Sequence, residues 1–146
     1  TTSSTCIKSS GYKTAARIDI QIEITPVPFK DISQAKQGEP SANIRQRVMA
    51  ARGRQQQRYK DFDGIYCNAQ MTERMIHQFA EPDADSINLL RTAMERLKLS
   101  ARAYNRILKV ARTIADLAGS EQVCMPHIAE AIGYRNLDRG DWAERE

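Results

Sequence analysis

The hydrophobic pattern along the chain changes once, from a period of two to a period of about 3.6 residues. In residues 18–24 isoleucine alternates with polar residues, which is typical of a β-strand with one buried face. Pro26 and Pro28 follow and would end the strand. No second segment has this pattern, so we predict a strand whose sheet partners are absent from this sequence.

From residue 41 onwards the apolar positions recur at helical spacing and predict five helices. The fourth is the best defined, because Ser100 suits an N-cap and Gly119 suits the residue after a helix end. The first helix would start at Ser41 as N-cap and run to about Arg58. The others are predicted over Thr72 to Ala80, from the sequence "EPDAD" at 81–85, and from Pro126 as first helical residue.

The apolar stripes of these helices define the expected core. The fourth helix is predicted to be central, since its many alanines would let neighbouring helices approach closely. The residues predicted to face inward are Ile44, Val48 and Ala51; Met75, Ile76 and Phe79; Ile87, Leu90, Met94 and Leu97; Tyr104, Ile107, Leu108, Ala111, Ile114, Ala115 and Ala118; and Ile128, Ala131 and Ile132.

The predicted fold class is all-α, a small bundle of about five helices preceded by a disordered or unpaired β-strand segment. The 146 residues are enough for one domain with a tail. We expect residues 1–40 to be a mobile tail and linker that contains the strand, residues 41–137 to form the helical domain, and residues 138–146 to be a C-terminal tail.

Positive charge is concentrated on two helices. Six cations and no acid lie between Ser41 and Lys60, and four cations and no acid lie between Ser100 and Ala115. On the fourth helix, Arg102 would add its charge to the positive end of the helix dipole, which costs stability unless an anion is near. The cations placed away from the core stripe of that helix are Arg102, Arg106 and Lys109, with Arg112 on the flank.

Composition argues against several classes of protein. The net charge of +4 is compatible with a polyanionic partner but does not require one. Cys6, Cys67 and Cys124 are far apart and near no histidine cluster, so we expect free thiols in a reducing, cytoplasmic compartment and no metal site. No apolar run is long enough to cross a membrane and no signal peptide is present, so we expect no membrane partner.

Two alternatives to a subdomain of a larger protein remain open. A free-standing basic module could bind DNA, with "LKLS" as the turn before a recognition helix and Tyr59 or Tyr104 stacking on bases. An independent enzyme would have to use His77 and His127 or the pair Asp83 and Asp85. These histidines are more often ordinary surface or core residues, and aspartates at this position are more simply explained as helix-start residues.

The sequences "LSARAYNRILKVARTIADLAGSEQV" and "HIAEAIGYR" resemble the C-terminal lid of the magnesium-chelatase-related AAA+ ATPases, YifB/ComM branch. "RIDIQIEI" is similar to the strand that ends the ATPase core of that family. "IRQRVMAARGRQQQR" and the later "NAQM" are similar to its first lid helix and the exit from it. The resemblance covers about Arg17 to Leu137, and we expect the chain to be a piece of a longer parent protein.

The resemblance implies a ring-forming ATPase parent with ATP and Mg²⁺ as cofactors. Arg102 would be the sensor 2 arginine, which reaches the γ-phosphate of ATP. The partners would be the AAA+ core of the same chain, neighbouring subunits of the ring and, for the parent, DNA, since this branch is associated with DNA processing. Arg17 matches the position of an arginine finger that acts on a neighbouring subunit's ATP, although the family usually reads "SGPLLDRID" where this chain reads "SGYKTAARID".

The chain departs from a complete ATPase in one further respect. It contains no GxxxxGK[ST] loop to cradle phosphates and no apolar strand ending in Asp-Glu to hold magnesium. We therefore expect no cofactor in this chain alone and no ATP hydrolysis by it. The sequence leaves open whether the parent remodels DNA or a metal-porphyrin, how many subunits its ring has, and what Arg106, Lys109 and Arg112 do.

Overall fold

The computed structural model describes residues 19–22, 24, 26 and 38–135. These residues form five α-helices, and a short 3-10 helix lies between the first two of them. The only β-type pairing in this part of the chain is an isolated parallel bridge between Pro82 and Val123. The all-α prediction is therefore confirmed. The helices are α1 (Ser41–Tyr59), the 3-10 helix (Asn68–Gln70), α2 (Glu73–Phe79), α3 (Ala84–Arg96), α4 (Ala101–Ala118) and α5 (Met125–Gly133).

Three helices begin with a polar side chain that caps the first turn. Thr72 caps α2, Asp83 caps α3 and Ser100 caps α4. Each side-chain oxygen accepts from the backbone N–H three residues later, at 3.4, 2.8 and 3.3 Å respectively. These bonds satisfy N–H groups that have no partner inside the helix. The N-cap predicted for α4 is confirmed.

Two other helix starts differ from the prediction by one residue, whereas the predicted end of α4 at Gly119 is confirmed. Ser41 is the first residue of α1 and not its cap, because Pro40 holds that position without a side-chain hydrogen bond. Pro126 is the second residue of α5, which begins at Met125. Gly119 ends α4 with a left-handed φ of 76°, a conformation that glycine adopts without steric cost.

Helix α4 is the centre of the bundle, as predicted. It packs against α1, α2, α5 and the 3-10 helix, while α3 packs mainly on α5. The stripe of α4 with Ile107, Leu108, Ala111 and Ala115 is completely buried. Around it the core is filled by Tyr59, Met71, Met75, Ile76, Ala80, Leu90, Val123, Ile128 and Ala131.

Four residues predicted for the core are exposed. Ile44 and Val48 lie in the first ten residues of α1, all of which are exposed, and burial begins only at Ala51. The apolar stripe of α1 thus continues beyond the part of the helix that contacts the bundle. Ile87 is 40% exposed because α3 is covered mainly by one neighbour, and Ala118 is exposed at the end of α4.

The segment that precedes the helical domain contacts the bundle. Asp19 forms an ion pair with Arg106 of α4, and the backbone N–H of Gln21 donates to the carbonyl of Tyr134 after α5. The structure describes 19–22 and 24 without a strand. The mobility predicted for residues 1–40 stays a prediction. The domain limits at residues 137 and 138 lie outside the described residues.

Candidate functional site

Arg102 lies at the start of the central helix and its side chain faces solvent. It is the second residue of α4 and is exposed. The first turn of α4 contains no acidic residue, and within the described ranges the Arg102 guanidinium has no hydrogen bond or ion pair. A positive side chain at a helix N-terminus opposes the helix dipole. The site therefore combines an unpaired guanidinium with an electrostatic preference for an anion.

The other two exposed-face cations of α4 are used within the chain. The Nη1 of Arg106 lies 2.8 Å from Asp19 Oδ1. The Nζ of Lys109 donates to the backbone carbonyl of Ala69, at 2.9 Å, and so joins α4 to the 3-10 helix. These contacts distinguish both residues from Arg102, which lies one turn before Arg106 on the same face. Arg17, predicted as an arginine finger, lies outside the described residues.

Arg112 is buried in the core, although the sequence pattern placed it on the flank of α4. Its side chain is only 2% exposed and pairs with Asp116, one turn later, at 2.9 Å. Arg58 of α1 binds the same carboxylate with two N–H groups, one of them at 2.8 Å. Asn68 completes the cluster by donating to Asp116 Oδ2, at 2.8 Å. We call Arg58, Asn68, Arg112 and Asp116 the buried ionic cluster.

The buried ionic cluster keeps Asp116 ionised. Burial alone would raise the pKa of this carboxyl, but hydrogen bonds from Arg58 and Asn68 and the charge of Arg112 outweigh it and lower the pKa below its usual value. The hydrogen bonds with Asp116 likewise raise the pKa of the Arg58 guanidinium. Two guanidinium groups share one carboxylate, so the cluster carries one excess positive charge.

Arginine side chains also bind backbone carbonyls at the C-terminal end of α4 and in the loop that follows it. Arg112 donates to the carbonyls of Ser120 and Glu121, the latter at 2.7 Å. Arg54 of α1 donates to the carbonyl of Asp116, at 2.8 Å, and its guanidinium lies against Gly119. Cations at this end of a helix are favourable because they face the negative end of the dipole. The high arginine content of α1 and α4 is therefore partly structural.

The sequence carried a signal for the buried ionic cluster that the charge pattern obscured. Arg112 lies four residues after Leu108 and three before Ala115, which places it on the buried side of α4. Asp116 follows at the i,i+4 spacing of an ion pair. The contribution of Arg58 and Asn68 could not be predicted, because they lie 58 and 48 residues away from Asp116.

The structure describes every residue that the DNA-binding and enzyme alternatives named as a candidate. Tyr59 is 2% exposed and donates to Asn68 Oδ1, so it is not accessible for stacking on a base. Asp83 caps α3, as the helix-start interpretation predicts. His127 accepts from the backbone N–H of Cys124 at the start of α5, at 3.0 Å, while His77 is exposed in α2. Tyr104 packs partly against the core and Asp85 lies in the first turn of α3.

Two further kinds of feature are absent from the described part of the chain. It contains no group of three or more His, Cys, Asp or Glu side chains that could hold a metal ion. None of its helices is long and apolar enough to cross a membrane. Cys67 and Cys124 are free thiols.

Comparison with known proteins agrees with the position of the helical bundle. The model of the family described as "Magnesium chelatase, subunit ChlI C-terminal" matches residues 38–135, the part of the chain that holds all five helices. The chain belongs to this magnesium chelatase C-terminal family. The resemblance to magnesium-chelatase-related proteins that the sequence predicted is therefore confirmed.

Curated relatives of the family are much longer than this chain. Competence protein ComM of Haemophilus influenzae is 38% identical over 124 residues, which are 84% of this chain and 23% of the relative. The uncharacterized YifB proteins of Salmonella typhimurium and Escherichia coli K12 are each 40% identical over 124 residues, 84% of this chain and 24% of the relative. The chain thus spans about a quarter of the length of these relatives.

Proposed function

We propose that this chain is the helical lid of a longer magnesium-chelatase-related AAA+ ATPase, and that Arg102 is its sensor 2 residue. One observation carries the proposal. Three of the four cations on α4 make hydrogen bonds or ion pairs within the described residues, namely Arg106, Lys109 and Arg112. Arg102 is exposed at the positive end of the helix and makes none within the described residues.

The chemistry of this position fits the γ-phosphate of ATP. An arginine fork donates two parallel hydrogen bonds to phosphate oxygens, and a phosphate would offset the repulsion between Arg102 and the helix dipole. ATP would supply the phosphoryl group, and the parent's own core would hold its phosphates and Mg²⁺. Arg102 would orient the γ-phosphate and stabilise the negative charge on it.

The partners follow from the same proposal. The lid would contact the AAA+ core of its own chain and neighbouring subunits of a ring in the cytoplasm. The parent would act in DNA processing, as the resemblance to the YifB/ComM branch implies. Arg17 would serve the neighbouring subunit's ATP as an arginine finger. Arg102 remains the residue on which the proposal is tested.

The decisive experiment is ATPase kinetics of the full-length parent with Arg102→Ala. We expect kcat to fall by about ten- to a thousandfold, because a group that stabilises transferring phosphate is lost. Arg74→Ala is the matched control, since Arg74 is also an exposed second residue of a helix, α2. Arg102→Lys should retain part of the activity, because lysine keeps the charge and loses the fork.

Three outcomes would reject the sensor assignment. If Arg102→Ala leaves kcat unchanged, the guanidinium does not act on the transferred phosphate. If Arg74→Ala lowers kcat as much as Arg102→Ala, the effect is general electrostatics. If Arg102→Ala unfolds the helical domain, measured by far-UV circular dichroism of this chain, the arginine is a structural residue.

A second candidate function is a basic module that binds DNA. The exposed first half of α1 favours it, because Arg45 and the nearby Arg52 face solvent without an ion pair in the described ranges. Binding of this chain to a short DNA duplex, weakened by Arg45→Ala with Arg52→Ala and steeply dependent on salt, would support it. Absence of binding at about 0.1 M salt would leave the lid as the better proposal.

A further inference from the structure

Two contacts join the segment before the helical domain to its central helix and to the end of α5. Asp19 Oδ1 lies 2.8 Å from Arg106 Nη1, across 87 residues of sequence. The N–H of Gln21 donates to the carbonyl of Tyr134, at 2.9 Å. One contact uses a charged side chain and the other uses the backbone, so together they fix both the position and the direction of the segment.

Apolar side chains extend this contact. Ile20 and Ile22 line an open cleft of about 500 Å³ together with Val110, Ile114 and Leu117 of α4. The two isoleucines are still 50% and 70% exposed, so the apolar burial is partial. The ion pair and the backbone hydrogen bond therefore act together with a partial apolar contact in holding this segment on α4.

Arg106 is placed one helical turn after Arg102 on the same face of α4. A rotation or tilt of α4 that breaks the pair with Asp19 would therefore also redirect Arg102. By the resemblance, residues 18–24 would be the last strand of the ATPase core of the parent, although the structure describes 19–22 and 24 without a strand. The ion pair would then connect the core to the helix that carries the sensor.

We propose that Asp19 is a positioning residue, which holds α4 through Arg106 so that Arg102 is directed at the nucleotide. Asp19 itself does not contact ATP. This inference rests on the proposed function, and the contact on which it depends can be measured separately from any ATPase activity.

The first measurement is amide hydrogen exchange at Gln21 in this chain. Asp19→Asn and Arg106→Asp should each speed exchange of the Gln21 N–H by roughly two- to fivefold, the range for losing a solvent-exposed ion pair. The exchanged pair, Asp19→Arg with Arg106→Asp, should restore slow exchange. Arg91→Asp is the control, because Arg91 is exposed on α3 and has no hydrogen bond or ion pair in the part of the chain that the structure describes.

The second measurement is ATPase kinetics of the full-length parent with the same variants. Each single substitution should raise KM for ATP or lower kcat by about two- to fivefold, and the exchanged pair should recover most of the loss. The exchanged pair also restores the net charge, so a general effect of charge is tested by Arg91→Asp, which changes the net charge as much as Arg106→Asp does and should leave the ATPase kinetics unchanged.

Three results would overturn the inference. Gln21 exchange at the rate of an unstructured peptide would remove the contact itself. An exchanged pair as impaired as the single variants would show that the two residues do not act together. Altered Gln21 exchange with unchanged ATPase kinetics would leave a surface contact with no positioning role. Failure of the proposed function is distinguished from these, because it is reported by an unimpaired Arg102→Ala.

Discussion

The two ends of α4 use the same kind of residue for opposite purposes. At the C-terminal end, Arg112 is buried, pairs with Asp116 and donates to the carbonyls of Ser120 and Glu121 in the loop after the helix. At the N-terminal end, Arg102 is exposed, is unpaired within the described residues and opposes the helix dipole. The first arrangement is explained by folding alone, whereas the second is not.

The difference separates a structural charge from a candidate functional one. Taking a guanidinium out of water is costly, and the cost is offset only when its N–H groups are satisfied. Arg112 meets this condition with three acceptors, Asp116, Ser120 and Glu121. Arg102 stays exposed to solvent and makes no hydrogen bond or ion pair within the described residues, so the fold does not account for its charge at the helix start.

The largest effect is expected for Asp116→Ala. The substitution leaves Arg112 buried without its carboxylate, and uncompensated buried charges typically cost about 3–5 kcal/mol. Urea unfolding of this chain, followed by circular dichroism, would measure the loss in the free energy of unfolding. Asp61→Ala, at an exposed loop position, should change it by less than about 0.5 kcal/mol. Equal effects of the two substitutions would remove the distinction between the two ends of α4.

Arg112→Met should lower the free energy of unfolding by less, about 1–3 kcal/mol. Asp116 would keep Arg58 and Asn68 as donors. The carbonyls of Ser120 and Glu121 would lose the donor that Arg112 supplies. Arg58→Met should cost less again, since the Arg58 side chain is 16% exposed and water can replace it. Urea unfolding of both variants checks this order. A greater loss in the free energy of unfolding for Arg58→Met than for Arg112→Met would mean that Arg58 of α1 contributes more to the buried ionic cluster than Arg112 does.

The pH dependence of stability should report the same carboxylate. Since the pKa of Asp116 is lower in the folded chain, its contribution is fully present above the unfolded value of about 3.9 and is lost as the pH falls through the folded value. Urea unfolding between pH 6 and 3 should therefore show a steeper loss for the unsubstituted chain than for Asp116→Asn. Parallel pH profiles would mean that another group controls acid unfolding.

The sequence predicted the ends of the helices better than it predicted which of their side chains are buried. Local signals at Thr72, Asp83, Ser100 and Gly119 are sufficient to place helix ends, because capping depends on neighbouring residues. Ile44 and Val48 show where this fails, since burial depends on how far a partner helix extends. Arg112 was predicted on the flank of α4 because the run of cations obscured its i,i+4 partner Asp116, and its other acceptors, Ser120 and Glu121, lie in the loop after the helix, where no sequence pattern marks them.

The smallest and most informative effect concerns Arg102 itself. Arg102→Ala should leave the free energy of unfolding of this chain unchanged or slightly raised, because the side chain has no partner in the described residues and opposes the helix dipole. Arg102→Glu should raise it by about 0.3–1 kcal/mol, since a negative charge in the first turn is favourable. Arg74→Glu is the matched comparison, and its gain should be smaller because α2 already has Glu73 in its first turn. Urea unfolding at low ionic strength would resolve these differences, which added salt should reduce. A loss above about 1 kcal/mol for Arg102→Ala would show that this arginine, like Arg112, is held by the fold, and the contrast between the two ends of α4 would disappear.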